Sequence, residues 1–308
     1  MASASRAKRE KRDGLQTLLL VALQASVFLT VLTIGMGTSG ADLRYVLGNP
    51  RRLIRSLLAL NVLGPIVAVV VCQLFSLHPA VIVALVTLAI APVSNMFPKA
   101  MLPLVGPGRA AAYAHGLFFA STVLSVILTP LAVEVINAIF GGREHVSPLA
   151  VAEVVVASVL VPLAIGLAIG SRWPAAKAWI PAIQKVSGLV LLVCAVVIVA
   201  AVWSLMGSLI RQGTLSAIAI IALVGLVAGH WLGGPDEDDR TVLAEATVSR
   251  HPGVAIAVAS LTDQPLAPVG VLLAVLVSTI AVVPYTQWRK RLRGARPARA
   301  GHAPSRAH

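Results

Sequence analysis

Charged residues are scarce in this 308-residue chain: they make up 12% of the sequence, and only 12 of them are acidic. A soluble globular domain carries about 25% charged residues and covers its water-facing surface with them. This chain cannot build such a surface, because 57% of its residues are hydrophobic and its mean hydropathy is +0.88. The composition therefore excludes a soluble domain and indicates a protein whose main solvent is lipid.

Cysteine is rarer still, with two residues in the whole sequence. The two cysteines, Cys72 and Cys194, both lie inside apolar runs and form neither a disulfide framework nor a metal-binding pattern. The motifs H-E-x-x-H and G-x-S-x-G, which would indicate a metal-dependent or serine hydrolase, do not occur. We therefore predict no catalytic residues, no metal-binding residues and no cofactor, and an intramembrane enzyme is the weakest reading of the chain.

The net charge of +13 comes largely from the two ends of the chain. Five basic residues lie within residues 1–14 and seven within residues 288–308. Such blocks can bind nucleic acid, but in a membrane protein they fix topology and contact anionic lipids. We predict anionic lipids as partners of both tails, and no nucleic acid.

Long continuous apolar runs, such as residues 190–202 and 271–283, favour helices over the alternating strands of a membrane barrel. A helix needs about 20 apolar residues to span a bilayer. Nine segments meet this requirement and predict an all-α membrane protein with about nine transmembrane helices: 15–37, 53–77, 79–104, 110–140, 147–170, 182–207, 214–232, 239–261 and 266–287.

The loops between these segments are too short to separate soluble domains. We expect one transmembrane domain over 15–287, with a first half at 15–140 and a second at 147–287, flanked by a basic N-terminal tail and a disordered basic C-terminal tail. If the N-terminus lies outside the cell, seventeen lysines and arginines of the loops and tails lie on the cytoplasmic side and seven lie on the outer side. Because basic residues favour the cytoplasmic side, we predict a multi-pass inner-membrane protein with a cytoplasmic C-terminus; the basic N-tail argues against the outside position of the N-terminus.

Two of the nine segments are interrupted by proline. The third contains the run 91–95 and then Pro98, and the eighth contains the run 249–253. Proline removes a backbone donor and clashes with the preceding turn, so neither run predicts a continuous helix. Broken helices at corresponding positions of two inverted repeats are typical of the binding site of a secondary transporter.

Ionisable residues within a span are functional candidates by default. Glu245 lies just before the second interruption and Arg250 lies within it, either as part of a transport site or as a structural ion pair. Ser94 and Asn95, at the first interruption, can ligate a small cation or cap the second half-helix. Asn61 lines a cavity or bonds a neighbouring helix, and the acidic run Asp236–Asp239 is predicted to cap the start of the eighth helix.

At these residues the chain resembles the bile acid:sodium symporter family, from Gly35-Met36-Gly37 to about Val283. Ser94-Asn95 is similar to the family's Ser-Asn at the first helix break, and the stretch from Ala120 through Thr122 to Pro130 is similar to the helix that follows it. Glu245 is similar to the glutamate of the second break. The resemblance implies a panel domain and a core domain in which the two broken helices cross.

The chain departs from the family beside that glutamate. The family has a glutamine and an asparagine where this chain has Ser249 and Arg250, or Arg250 and His251 if the alignment shifts by one residue. The resemblance then implies one partly retained sodium site, formed by Ser94, Asn95, Thr122, Glu245 and Ser249, and one lost site.

We therefore predict a secondary active transporter of a small organic anion that works by alternating access, with a sodium ion or a proton as the coupling ion. Arg250, His251 and Asn61 are the predicted substrate-binding residues, because a fixed cation attracts carboxylates. The alternative among carriers is a metalloid-oxyanion efflux permease of the arsenite type, which shares the implied fold.

Overall fold

The computed structural model describes residues 21–22, 24–40, 44, 47–139, 147–211 and 213–294. In these ranges the chain is helical apart from turns and one isolated β-bridge. The helices are α1 (Gln24–Gly37), α2 (Pro50–Leu74), α3 (Pro79–Ile90), α4 (Phe97–Val105), α5 (Arg109–Ile139), α6 (Pro148–Arg172), α7 (Ile180–Ala201), α8 (Trp203–Leu209), α9 (Thr214–Leu232), α10 (Glu237–Val248), α11 (Pro252–Ala259) and α12 (Ala267–Gly294).

Six helices are long and apolar enough to cross a membrane: α2, α5, α6, α9, α12, and α7 together with the 3₁₀ turn Pro174–Trp179 before it. Helices α1 and α3 are apolar but shorter. Each of the nine predicted segments coincides with one or two of the observed helices, although residues 15–20 of the first segment lie outside the described residues. The all-helical membrane fold is thus confirmed, and the count of nine spans and the inverted repeats stay predictions.

The predicted interruption of the third segment is present. Helix α3 ends at Ile90, Ala91 adopts extended backbone angles, and α4 begins at Phe97. The prediction of a further break at Pro98 is wrong, because Pro98 occupies the first turn of α4. Proline is favoured there, since the first backbone N–H groups of a helix have no intrahelical acceptor to lose.

The eighth segment is interrupted between α10 and α11. Helix α10 ends at Val248 and α11 begins at Pro252, so the break covers three residues, 249–251, and Pro252 starts the new helix. Asp236 caps the start of α10 as predicted, and its carboxylate accepts hydrogen bonds from the backbone N–H groups of Asp238 and Asp239.

The two breaks pair with each other through their backbones. Ser94 N–H donates to the Ser249 carbonyl at 2.7 Å, and His251 N–H donates to the Pro92 carbonyl at 2.8 Å. These bonds form an antiparallel bridge between Val93 and Arg250. In an apolar interior every freed backbone group needs a partner, and here each break supplies the partner of the other. We call this paired segment, residues 91–96 with 249–251, the crossing.

Helix α1 packs against both α6 and α7, and we call these three helices the side group; α6 also packs against α5. A side chain at Gly35 would collide with the Leu163 carbonyl of α6, and one at Gly170 would collide with the Met36 carbonyl of α1. Thr30 of α1 donates to the Ser187 hydroxyl of α7 at 3.2 Å. Small residues let membrane helices approach at backbone distance, which explains the glycine at position 35 of the Gly-Met-Gly sequence.

An ion-pair rim surrounds the N-terminal end of α10. Arg52 of α2 pairs with the buried Asp239 at 3.0 Å, and Arg289 of α12 pairs with Glu237 at 2.6 Å. Arg289 lies beyond the predicted end of the last span, and its helix continues to Gly294, seven residues into the segment predicted as a disordered tail. Residues 1–14 and 295–308, which carry most of the predicted lipid-binding charge, lie outside the described residues.

Candidate functional site at the helix crossing

Helix α5 supports the first break with hydroxyl side chains. Val93 N–H donates to Ser121 Oγ at 3.3 Å, and Thr129 Oγ1 donates to the Ile90 carbonyl at the end of α3 at 3.1 Å. Hydroxyls in membrane helices commonly bond a carbonyl of their own helix, so these contacts between helices were not predictable from Ser121 or Thr129 alone. They hold the extended segment against α5.

Three of the predicted cation ligands carry buried polar atoms that lack a hydrogen-bond partner among the described residues. These atoms are Asn95 Nδ2, Thr122 Oγ1 and Glu245 Oε1. Buried polar groups of native proteins are nearly always paired, and an unpaired group calls for a specific explanation. The two oxygens suit a bound cation, whereas the Asn95 nitrogen is a hydrogen-bond donor and suits an acceptor such as an anion. Ser94 is half-buried and already engaged, because its Oγ accepts from Met96 N–H at 3.3 Å, although no side chain caps the start of α4.

A cavity of about 330 Å³ adjoins the crossing, and we call it the crossing cavity. Ser94, Glu245, Ser249 and Arg250 line one side of it. The other side presents hydroxyl residues of α12 that sequence reasoning missed: Ser278, Thr279 and Thr286. Positions 278 and 286 are eight residues apart and therefore on one helix face, so their spacing within an apolar span was a usable signal.

A second cavity, of about 140 Å³, lies between the side group and the first broken helix, and we call it the side cavity. Asn95 and Lys99 line it from the broken helix, and His115 lines it from α5. The side group contributes Thr30 and Thr33 of α1 and Gln184 of α7. Lys99 is exposed, and no acidic side chain of the described residues lies within 4.0 Å of it.

The three predicted substrate-binding residues have different surroundings in the structure. Arg250 lines the crossing cavity, but its guanidinium donates to the carbonyls of Leu60, Ala91 and Thr247. His251 is buried, and its ring accepts from Val254 N–H at the start of α11. Asn61 is half-buried and donates to Leu57 of its own helix at 3.4 Å. Neither His251 nor Asn61 lines the two cavities.

Glu245 and Arg250 do not form the structural ion pair that was the alternative reading. In the part of the chain that the structure describes, no nitrogen of Arg250 lies within 4.0 Å of a carboxylate oxygen. The crossing thus holds the buried guanidinium of Arg250, and the buried carboxylate of Glu245 lies beside it in the last turn of α10 without pairing with it. Thr122 lines neither cavity but lies one residue after Ser121, which bonds the first break.

Comparison with known proteins agrees with this architecture. The profile of the Sodium Bile acid symporter family matches residues 25–209, well over half of the chain. The match includes the first break and its support on α5 and ends before the second break. No curated protein sequence matches the chain significantly. On the strength of the profile match and the membrane-spanning helices, the chain belongs to the Sodium Bile acid symporter family.

Proposed function

We propose that this protein is a secondary carrier that moves a small organic anion across the membrane by alternating access. Membership of a symporter family supports the reaction class. The observation that carries the proposal is the crossing itself, where two broken helices meet beside buried, unpaired atoms of Asn95, Thr122 and Glu245. Discontinuous helices that meet at one depth are the usual binding site of such carriers.

The coupling ion is a sodium ion or a proton held by Ser94, Asn95, Thr122, Glu245 and Ser249. The set offers one carboxylate and several neutral oxygens, which suits a small hard cation. A cation also neutralises the charge that Glu245 carries within the membrane, where an isolated charge is costly. The same carboxylate can take a proton instead, so its chemistry serves either ion.

The side cavity is the place we propose for the anion. Its hydroxyl and amide groups can orient a polar substrate, and Lys99 supplies a positive charge that no acidic neighbour among the described residues neutralises. Arg250 contributes to the positive potential at the crossing but has its nitrogens directed to carbonyls. Lys99 is thus a better candidate for direct contact with a carboxylate than the predicted Arg250, His251 and Asn61.

The position of the side cavity supports the proposal of alternating access. One wall belongs to the side group of α1 and α7, and the other to α4 and α5. A rocking motion of the side group against the remaining helices would open this cavity to one side of the membrane and then the other. We propose that the two groups are the panel and the core that the family resemblance implies.

The proposed experiment is a binding screen followed by transport. A panel of carboxylates, with arsenite and neutral analogues, is screened by thermal shift on the purified protein, and each compound that binds is tested for uptake into proteoliposomes. Lys99→Met should raise the KM for a carboxylate about tenfold or more, as expected for a lost charge-assisted bond of about 1.5–3 kcal/mol. Lys177→Met, which removes an exposed lysine of the loop before α7, is the matched control.

Several outcomes would contradict the proposal. Uptake of arsenite but of no carboxylate would support the efflux-permease alternative, and chemical conversion of the compound would support an enzyme. Equal effects of Lys99→Met and Lys177→Met would remove the side cavity as the anion site.

We also propose a cytoplasmic C-terminus in the inner membrane, from the distribution of lysine and arginine between the loops. A reporter that is active only in the periplasm should be silent when fused to the C-terminus. An active reporter would reverse the orientation or change the parity of the span count.

A further inference from the structure

The guanidinium of Arg250 lies in a cage of backbone carbonyls from three separate helical segments. Nε donates to Thr247 O at 3.1 Å and Nη1 to Ala91 O at 3.1 Å, while Nη2 donates to Leu60 O. The side chain is buried, with 7% of its surface exposed, and no carboxylate of the described residues pairs with it. A buried arginine without an acidic partner is unusual, so the carbonyls are its source of stabilisation.

Each of these carbonyls is available for a local reason. In the π-helical turn Ala59–Leu63, Gly64 N–H donates to Ala59 instead of Leu60, and the next residue, Pro65, has no N–H to offer. Leu60 O therefore has no donor within its helix. Such π-turns occur frequently at functional sites.

The other two carbonyls are freed by the breaks. Ala91 has extended backbone angles, with ψ of 148°, so its carbonyl leaves the hydrogen-bonding ladder of α3. Thr247 lies four residues before His251, whose N–H bonds Pro92 across the crossing instead of Thr247. Arg250 is therefore the donor that satisfies the ends of both α3 and α10.

The charges agree with this arrangement. Helices α3 and α10 both present their C-terminal ends to the crossing, and a helix C-terminus carries about half a negative charge. Converging carbonyl oxygens in a low-dielectric interior form the kind of site that holds a monovalent cation. A covalently attached guanidinium at this point meets the same electrostatic need.

The neighbouring residues leave space for the guanidinium. An added Cβ at Gly64 would lie 2.9 Å from Arg250 Nη2, so any larger residue at that position would displace the side chain. A small cavity of about 50 Å³, lined by Gly64, Thr247 and Ser278 among other residues, adjoins Arg250. Truncation of Arg250 would join this space to the volume that the guanidinium now fills.

We propose that Arg250 is a resident cation, which permanently fills a three-carbonyl site at the crossing that a mobile ion would otherwise have to fill. The carrier then couples transport to at most one ion, held by the Glu245 set. The statement about coupling rests on the proposed function, whereas the resident cation itself can be tested by protein stability without any transport.

The first test is chemical rescue. Purified Arg250→Ala is compared with the natural protein and with Arg172→Ala, which removes an exposed arginine at the end of α6. Melting temperatures are measured in choline, sodium and guanidinium chloride at equal, millimolar concentrations. We expect guanidinium or sodium to restore at least half of the melting temperature that Arg250→Ala loses in choline, with no comparable rise in the two controls. No cation-specific rise in Arg250→Ala, or an equal rise in all three proteins, would overturn the proposal.

Two further variants separate charge from packing. Arg250→Lys keeps the charge, and Arg250→Gln keeps a hydrogen-bond donor without charge. The expected order of melting temperature in choline is natural protein, then Arg250→Lys, then Arg250→Gln, with sodium stabilising Arg250→Gln more than the other two proteins. If Arg250→Gln matched the natural protein and ignored sodium, the charge would have no role and the proposal would fail.

Should none of the variants fold, the natural protein still decides the question. The dependence of its melting temperature on sodium concentration gives the number of ions taken up by the folded state. At most one ion is expected, and two or more would overturn the proposal. Lack of uptake of every anion, combined with rescue of Arg250→Ala, would refute the proposed function and leave the resident cation intact.

Discussion

The two helix breaks solve the same backbone problem in different ways. The first, at residues 91–96, contains no charged side chain and is held from outside by Ser121 and Thr129 of α5. The second, at residues 249–251, carries its own donor, because Arg250 bonds the freed Thr247 carbonyl of α10 as well as the Ala91 carbonyl of the first break, and His251 caps the helix that follows. The first break thus contains only neutral side chains, and the second contains the buried charge of Arg250.

The two breaks also differ in whether the family profile covers them. The first break and its supporting helix lie within residues 25–209, which the family profile matches, and the second lies beyond them. The glutamate of the second break is the feature shared with the family by resemblance, and Arg250 is the departure beside it. We therefore expect the ion coupling to be where this protein differs from its family, and we expect the second break to determine that difference.

The largest effect is expected for Glu245→Gln. Opposite unit charges about 5 Å apart attract by about 3 kcal/mol at an effective dielectric constant of 20, which is more than a hundredfold in affinity. The neutral amide should abolish or uncouple transport and leave expression near normal. Uptake by Glu245→Gln is compared with that by Glu153→Gln, which neutralises an exposed carboxylate of α6.

The stability of the variant distinguishes the two roles of Glu245. If Glu245→Gln failed to fold while Glu153→Gln folded normally, the carboxylate would be structural and its assignment to the ion site would be wrong. A folded variant with unimpaired uptake would also remove Glu245 from the site.

Gly64→Ala tests the arginine side of the second break. Alanine normally stabilises a helix by about 1 kcal/mol relative to glycine. Here the new methyl group would meet Arg250 Nη2 at 2.9 Å, and overpacking in a filled interior costs about 1–3 kcal/mol. We expect a lower melting temperature for Gly64→Ala. Gly188→Ala is the control, because a Cβ at Gly188 of α7 has no neighbour within 4 Å.

A gain in stability for Gly64→Ala would mean that the guanidinium can move at little cost. That result would weaken the comparison between the breaks, since the second would then not be rigidly organised by Arg250.

Asn95→Ala is the counterpart at the first break. The Asn95 amide is buried and its nitrogen has no partner among the described residues, so its loss should cost little stability. A neutral ligand contributes about 1 kcal/mol, and we expect about a fivefold lower apparent affinity for the coupling ion or the anion. Uptake is measured as a function of the concentration of the coupling ion and then of the anion. A drop in melting temperature without a change in either affinity would contradict the role of Asn95 as a ligand.

Much of this architecture was predictable from local chemistry. The prolines at positions 92 and 252 mark the breaks, and the acidic run beginning at Asp236 marks the start of α10, because each acts on its own stretch of backbone. The partner of Arg250 was not predictable in the same way. Leu60 lies 190 residues away in sequence and is available only because of a π-turn before Pro65. The sequence therefore predicted which groups are unusual, and only the packing determines what they contact.

The side cavity shows the same limit. Lys99 follows the first break closely and was visible in the sequence, yet its importance depends on α1 and α7 forming the opposite wall. His115 lies within an apolar span, where its Nδ1 contacts the Ala111 carbonyl of its own helix at 2.9 Å, and only the packing shows that the residue also lines the cavity.

The smallest effect is expected at the far end of α10, for Glu237→Gln. The hydrogen bond from Arg289 lowers the pKa of Glu237 below its ordinary value of 4.5. A carboxyl whose pKa is lowered by folding adds stability that is present above its unfolded pKa and disappears as the pH falls through the folded pKa. Glu237 is 41% exposed, and ion pairs at such sites contribute about 0–1 kcal/mol. In the variant, Arg289 keeps its hydrogen bond to the backbone carbonyl of residue 237. We therefore expect Glu237→Gln to lower the melting temperature slightly at pH 7 and not at all near pH 3, without changing the affinity for the anion. A loss of transport in this variant would show that the rim of α10 is coupled to the crossing, and the separation between a structural end and a functional end of α10 would then be wrong.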